Sequence, residues 1–327
     1  MSTNTDWLEV ILGSSSAELT WQKIFEKLQE LALNSSSATQ LHKDTIAPDR
    51  LLAESAWNLW QSYLTVAPRT SVALKEWWQA FPATNSAVLI LDALSLRQLP
   101  ALLAGAKARN ITPVGVRVTG AEAPSDTDQF ARALGAASRS SLQYNGAATT
   151  FKFQKPGLYT EVLSLPFIDS LGSIPVNNNL FIWHSWLDDL VHLHKDNPDQ
   201  VYTASCSALQ GDDFWAFVDR LRTGRRLVIT ADHGYAESLQ FSSEAKDPIE
   251  IGALRDVLGA SRYKKIQQPW SWHFMPPVVL SLNQHYVVIG QKKWTVQGGF
   301  PRTCHGGLSL LEIAVPFIEL PAIGANH

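Results

Sequence analysis

An apolar run at 226–231, RLVITA, ends in Asp232 and His233, with Gly234 directly behind. An unpaired charge on a buried strand face carries a large desolvation penalty, so this pair needs a partner. Carboxylate and imidazole ligands together suit a transition metal, zinc or manganese in particular. Residues of the same types recur at comparable points. Asp92 closes the run SAVLILD at 86–92. In WHSWLDDLVHLH at 183–194, Asp188 and His192 stand four residues apart, which on a helix puts them on one face; His184, Asp189 and His194 are reserves in the same stretch. His305 precedes two glycines in TCHGGLSLLEIAVPFI at 303–318. Each signal also has a structural reading: a strand-end Asp that caps a helix, a solvated helix face, a packed histidine. Neighbours at a strand tip point to opposite sides unless the backbone turns, a turn that Gly234 permits.

A nucleophile candidate lies in EAPSDTDQFARAL at 122–134. Pro124 and the cluster Ser125, Asp126, Thr127, Asp128 suit a helix start, where free N–H groups favour a phosphate. Ser125 or Thr127 serves equally as an ordinary N-cap. A threonine hydroxyl is a weak nucleophile until a base or a metal activates it. Arg132, beyond Thr127, and Arg302, three residues before His305, are candidates for meeting phosphate oxygens, or else surface residues.

These residues need a frame to bring them together. In Leu19–Leu33 the residues Trp21, Ile24, Phe25, Leu28 and Leu31 follow helical spacing, and 50–64 and 71–81 read similarly. Residues 1–82 are thus expected to form a helical N-terminal region, and 83–327 the catalytic domain. From 86 onward the pattern changes to short apolar runs: SAVLILD, TPVGVRV at 112–118, NLFIWH at 179–184, RLVITA and HYVVIG at 285–290. Near-continuous apolar runs alternating with helices predict a doubly wound, largely parallel α/β sheet. Such sheets bind ligands at the carboxyl ends of their strands. The aromatic stretch QQPWSWHFMPP at 267–277 is expected to pack hydrophobically or to wall a pocket.

Composition narrows the function. The 327 residues are 45% hydrophobic and 17% charged, with a net charge of −3, which suits a globular chain and disfavours a broad surface for duplex nucleic acid. No apolar stretch approaches the ~20 residues a membrane span needs, and the N-terminus lacks a signal-like pattern. The two cysteines, Cys206 and Cys304, are too few for a disulfide framework. A cytoplasmic location is the expectation.

Taken in order, the segments LILDALSLRQL, APSDTDQFARAL, WLDDLVH, VITADHGY and CHGGLSLLEIAVPF, spread over 89–317, resemble those of PglZ domains, a branch of the alkaline phosphatase superfamily. Residues 1–80 take no part in the resemblance. It implies a phosphodiesterase or phosphomonoesterase with two divalent ions, usually zinc. Asp92, Thr127, Asp232 and His233 would surround one ion, Thr127 being the residue transiently phosphorylated. Asp188, His192 and His305 would surround the other. The substrate would be a small phosphorylated or nucleotide-like molecule. Cys304 lacks the Cys-x-Pro-x-Arg setting of the sulfatase branch. Two other readings remain open: a mutase-like phosphoryl transferase, which needs a further basic set not found in the sequence, and a metal-stabilised interaction module with protein partners in a defence or signalling assembly.

Overall fold

The computed structural model describes residues 3–82, 84–176, 178–240, 248–271 and 273–324. Trp272, within the aromatic stretch, lies outside them. Five helices come first: α1 (Thr3–Leu12), α2 (Ala17–Asn34), α3 (Ala38–Glu54), α4 (Asn58–Val66) and α5 (Thr70–Ala80). Ser16 and Ser37 start α2 and α3 by accepting the N–H groups of Leu19 and Gln40, which satisfies donors the first turn leaves unpaired. Helix α2 buries Trp21, Ile24, Phe25, Leu28 and Ala32 along one stripe.

The strands of the central sheet are β1 (Ser86–Leu91), β2 (Gly115–Gly120), β3 (Leu158–Leu163), β4 (Asn179–His184), β5 (Arg226–Thr230) and, near the end of the chain, Ala314–Leu320. Between them lie α6 (Leu99–Ala108), α7 (Thr127–Ala133), α8 (Phe167–Ser170), α9 (Trp186–Leu193), α10 (Pro198–Gln210) and α11 (Asp212–Arg222). After β5 come β6 (Ala236–Glu237), β7 (Leu239–Gln240), α12 (Pro248–Leu258), β8 (Tyr263–Lys265), β9 (Val279–Leu282), β10 (His285–Val288), β11 (Lys292–Lys293), β12 (Thr303–Cys304), α13 (Leu310–Ile313) and β13, the Ala314–Leu320 strand.

The sheet order is β2-β13-β5-β1-β4-β3. Strands β5, β1, β4 and β3 pair in parallel, whereas β13 runs antiparallel to both β2 and β5. The fold is therefore α/β with a mixed, mostly parallel sheet and added N-terminal helices. In β1 the residues Ala87, Leu89 and Leu91 enter one hydrophobic cluster and Val88 and Ile90 the other. Burial on both faces explains why the run is continuous rather than alternating. Each large side chain so buried contributes about 1.5–3 kcal/mol.

HYVVIG and the stretch after His305 differ from the sequence reading, β3 matches none of the apolar runs named there, and the 50–64 segment is broken between α3 and α4. HYVVIG forms β10 of a separate antiparallel sheet, β8-β10-β9, because its neighbours in sequence form a hairpin that pairs it locally. The stretch read as amphipathic after His305 supplies a single short helical turn, α13, and then the inner strand β13.

The N-terminal helices share the larger hydrophobic cluster with the sheet, since Trp21, Trp60 and Tyr63 pack in it alongside Leu89, Ile182 and Ile229. Polar ties reinforce the contact. Tyr63 donates to the carbonyl of Ala121 (2.7 Å), and Asp49 accepts from Leu310 N (2.7 Å) and Gln291 Nε2 (2.6 Å). Burial pushes the Asp49 carboxyl up to about 7, although both hydrogen bonds oppose the shift. Folding thus raises this pKa from an ordinary value of about 4, so the associated stability is complete below about pH 4 and is lost as pH rises through the folded value. Denaturant unfolding of the unaltered protein is expected to lose about 2 kcal/mol between about pH 5 and pH 7 relative to Asp49→Asn, which lacks the titration.

Candidate active site

Register places the candidate residues along one edge of the sheet. Leu91 at the end of β1 pairs with His184 at the end of β4, and Ile90 pairs with Thr230 at the end of β5. Asp92, the α9 residues and Asp232 therefore emerge side by side. Thr127 follows β2 in the chain, and Gly120 at the end of β2 pairs with Ala314 at the start of β13. Because β13 is antiparallel, the residues that precede it, His305 among them, arrive at this same edge.

The side chains converge. Thr127 Oγ1 lies 2.9 Å from Asp232 Oδ2, 3.3 Å from His233 Nε2 and 3.4 Å from Asp92 Oδ1. His233 Nε2 is 3.4 Å from Asp232 and 3.6 Å from Asp92. A second group adjoins the first: His192 Nε2 is 3.4 Å from Asp188 Oδ2 and from His305 Nε2, and His305 Nε2 is 3.7 Å from Asp188 Oδ1. The His233 and His305 rings stack at 4.2 Å and join the two groups. Asp92, Asp232 and His233 have no exposed surface, whereas the His192 side chain is 63% exposed.

Local geometry enforces this arrangement. Ala93 sits at φ 64°, a region costly for a residue with a Cβ, and its N–H donates to Asp232 Oδ1 at 3.1 Å. Asp92 Oδ2 accepts from Trp183 Nε1 at 3.0 Å and from Arg139 Nη1. Gly234 has a different task from the turn expected of it, since its φ is not positive. A Cβ there would collide with the Leu311 carbonyl oxygen, and its N–H donates to Glu312 O at 2.8 Å. It is the close approach of α13 that demands glycine.

The electrostatics favour a cation. Burial pushes the Asp92 carboxyl well up, and the neighbouring Asp232 and Asp188 charges push it further. Burial opposes a charge on His233, yet Asp232, Asp92 and Asp188 outweigh it and raise its pKa to about 9. Burial likewise works against Asp188, but the His192 hydrogen bond and the His305 and His233 charges hold it well below the usual range. Two sets, Asp92/Asp232/His233 and Asp188/His233/His305, each have ligand atoms within 4.8 Å of one another. Asp188 Oδ1 is buried with no hydrogen-bond donor. Oxygen and imidazole donors so crowded fit a divalent ion such as zinc or manganese.

The remaining sequence candidates lie outside the cluster. Arg132 pairs with Asp128 at 3.3 Å and is 54% exposed; Arg302 is 4.0 Å from Glu237 and 58% exposed. His184 is buried against Phe167, with ring centroids 4.6 Å apart. Asp189 accepts from Ser185 Oγ at 2.8 Å, and His194 caps α9. Ser125, the rival hydroxyl, is fully buried, donating to Gly307 O (2.8 Å) and accepting from Gly306 N (3.1 Å). It ties the Thr127 loop to the His305 loop. The arginine that does reach the cluster is Arg139, which sequence reasoning did not single out. It starts a 3-10 segment after α7 behind Ser138, and no motif marks it.

No family model matches the chain, and no curated protein matches it. Among solved structures, the chain is similar to murine ectonucleotide pyrophosphatase / phosphodiesterase 5 at 15% identity, covering 72% of this chain and 88% of that one, with a TM-score of 0.43. It is also similar to phosphonoacetate hydrolase from Sinorhizobium meliloti 1021 in complex with phosphonoformate, at 14% identity, 76% and 92% coverage and a TM-score of 0.37. At such identities the likeness does not extend to the role of any residue.

The packing of α13 on Gly234 yields a direct test. Gly234→Ala is expected to cost about 1–3 kcal/mol in chemical denaturation, and a substitution at Gly252, where a Cβ meets nothing within 4 Å, far less.

Proposed function

We propose that the chain is a metal-dependent phosphoric ester hydrolase of the alkaline phosphatase superfamily, of PglZ type, with Thr127 as its nucleophile. The observation that carries this reading is the position of Thr127 Oγ1, within 3.4 Å of two carboxylates and an imidazole that have no exposed surface. Asp92, Thr127, Asp232 and His233 would hold one divalent ion, and Asp188, His192 and His305 a second. Ions bound there supply the positive charge that an attacking oxygen and a transferring phosphoryl group require, charge that a chain of net −3 does not offer broadly.

The chain's own groups orient the chemistry. The Thr127 hydroxyl donates to Asp232 Oδ2, which directs its proton to that carboxylate and leaves an oxygen lone pair for phosphorus. Attack forms the Oγ1–P bond and breaks the P–O bond to the leaving alcohol, whose oxygen gains a proton. Water then cleaves the Oγ1–P bond, restoring the hydroxyl and releasing phosphate from a monoester substrate or a phosphomonoester from a diester. Arg139 anchors one nitrogen on Asp92, and its remaining donors suit phosphoryl oxygens. Ser125, committed to two backbone bonds, is a poor rival for the nucleophile.

Among the described residues no helix is long and apolar enough to cross a membrane. The test uses the full chain supplied with zinc or manganese. Calorimetry is expected to give about two bound ions, and p-nitrophenyl phosphate or its bis-ester to be hydrolysed. Thr127→Ala is expected to lower kcat about a thousandfold or more. Bound metal with no turnover, or a Thr127→Ala variant as active as the parent, overturns the hydrolase reading. For Arg139→Ala, a fall in kcat/KM of about 10–100-fold is expected in the same assay.

A further inference from the structure

Trp183, near the end of β4, has no exposed surface, and its indole N–H meets a carboxylate: Nε1 donates to Asp92 Oδ2 at 3.0 Å. Indoles elsewhere in the core manage without such a partner. Trp215 and Trp294 donate to main-chain carbonyls, and the N–H groups of Trp60, Trp77 and Trp78 are buried with no acceptor. The pairing at Trp183 is therefore not a general requirement of packing tryptophan in this chain.

Strand register explains how the two side chains meet. Trp183 pairs with Ile90 on β1, and residues two apart on a strand share a face, so Asp92 stands on the Trp183 side, one step further along. The Asp92 N–H donates to His184 O at 3.0 Å and extends the ladder to that residue. Val88, Ile90, Phe181 and Trp183 fill one hydrophobic cluster on this face. A side chain that crosses the diagonal must be long, and its direction must be fixed. The Phe130 ring of α7 meets the indole in a T-shaped contact, with centroids 5.6 Å apart and planes at 77°. An indole held by such packing keeps its N–H in one direction.

Arg139 donates to the same oxygen. Oδ2 thus has two donors, whereas Oδ1 is left facing Thr127 Oγ1 at 3.4 Å and His233 Nε2 at 3.6 Å. Indole offers a donor and no acceptor nitrogen, so it can steer a metal ligand but cannot become one. The two donors differ in setting: the Arg139 side chain is 32% exposed on its 3-10 segment, while Trp183 is locked inside the sheet. We propose that Trp183 is a positioning residue for the metal site, its N–H holding Asp92 Oδ2 so that Oδ1 is presented to the ion shared with Asp232 and His233. The proposal rests on the reading of Asp92 as a metal ligand and does not depend on Thr127 being the nucleophile.

Zinc titration calorimetry on the full chain, first stripped of metal with a chelator, tests it with two variants. Trp183→Phe keeps an aromatic ring and removes the N–H, whereas Phe130→Leu loosens the same packing and keeps the N–H. Trp183→Phe is expected to weaken one of the two zinc ions by about 10–100-fold, and Phe130→Leu, which touches no ligand, to weaken either by less than about threefold. Unfolding of the metal-free chains measures the packing cost of each variant separately; a purely structural role lowers stability without singling out zinc. If Trp183→Phe fails to fold, β-(3-benzothienyl)alanine at position 183, with sulfur in place of the N–H and the same outline, carries the same expectation. Zinc affinities within about threefold of the parent once the N–H is gone, or an equal loss in Phe130→Leu, overturn the proposal and leave the hydrolase reading standing. Weakened zinc in the variant lacking the N–H, with a parent that binds zinc but hydrolyses no ester, supports the positioning role while the nucleophile reading falls. A parent that binds no zinc overturns both.

Discussion

Three carboxylates, those of Asp92, Asp188 and Asp232, are gathered at one edge of the sheet, two of them with no exposed surface. Oxygens of Asp92 and Asp232 lie within 4.8 Å of each other, where two unit charges repel by about 3 kcal/mol at an effective dielectric near 20. A fold does not retain such repulsion without compensation. Part of it comes from Arg139, the Trp183 indole N–H, the Ala93 amide and His233, all aimed at these oxygens. Asp188 Oδ1 still has no donor. A bound cation would answer that deficit, and much of the surrounding geometry follows from keeping the carboxylates close.

The strained turn at Ala93 directs an amide toward Asp232. Gly234 lets α13 approach within backbone contact, and Ser125 stitches the Thr127 and His305 loops together. Beneath them Glu312 accepts from Gly307 N, Ser309 N and the fully buried Arg262. Breaking such a pair would strand a buried charge, so the His305 loop rests on a rigid base. The antiparallel direction of β13 makes this possible. A parallel strand there would carry the residues before it to the opposite edge of the sheet, away from β1, β4 and β5.

Legibility in the sequence varied with how local the cause was. NLFIWH and RLVITA coincide with β4 and β5 because a run buried on both faces reads as continuously apolar whatever its neighbours. HYVVIG has the same appearance, yet a short apolar run does not specify its partner, and the hairpin with β9 captured it. Strand β13 was hidden for a related reason, its residues continuing an apparent amphipathic stretch across α13. Arg139 carried no signal at all, because its meeting with Asp92 spans 47 positions in the chain and depends on where a 3-10 segment comes to rest.

Asp92, Asp188, His192, Asp232, His233 and His305 stood out as candidates by type and by their place after apolar runs, while the choice of Thr127 over Ser125 and of this exact set came from the resemblance to PglZ domains. Residue chemistry is a local property, and so is the tendency of such runs to become strands. The sequence by itself thus determined which donors exist and the order in which they occur. Only the tertiary structure decided that they meet, that Arg139 joins them while Arg132 and Arg302 do not, and that Ser125 is a tether. Those outcomes depend on strand order, on the reversal of β13 and on the close contact of α13 with Gly234, and each is set by packing between segments far apart in the chain.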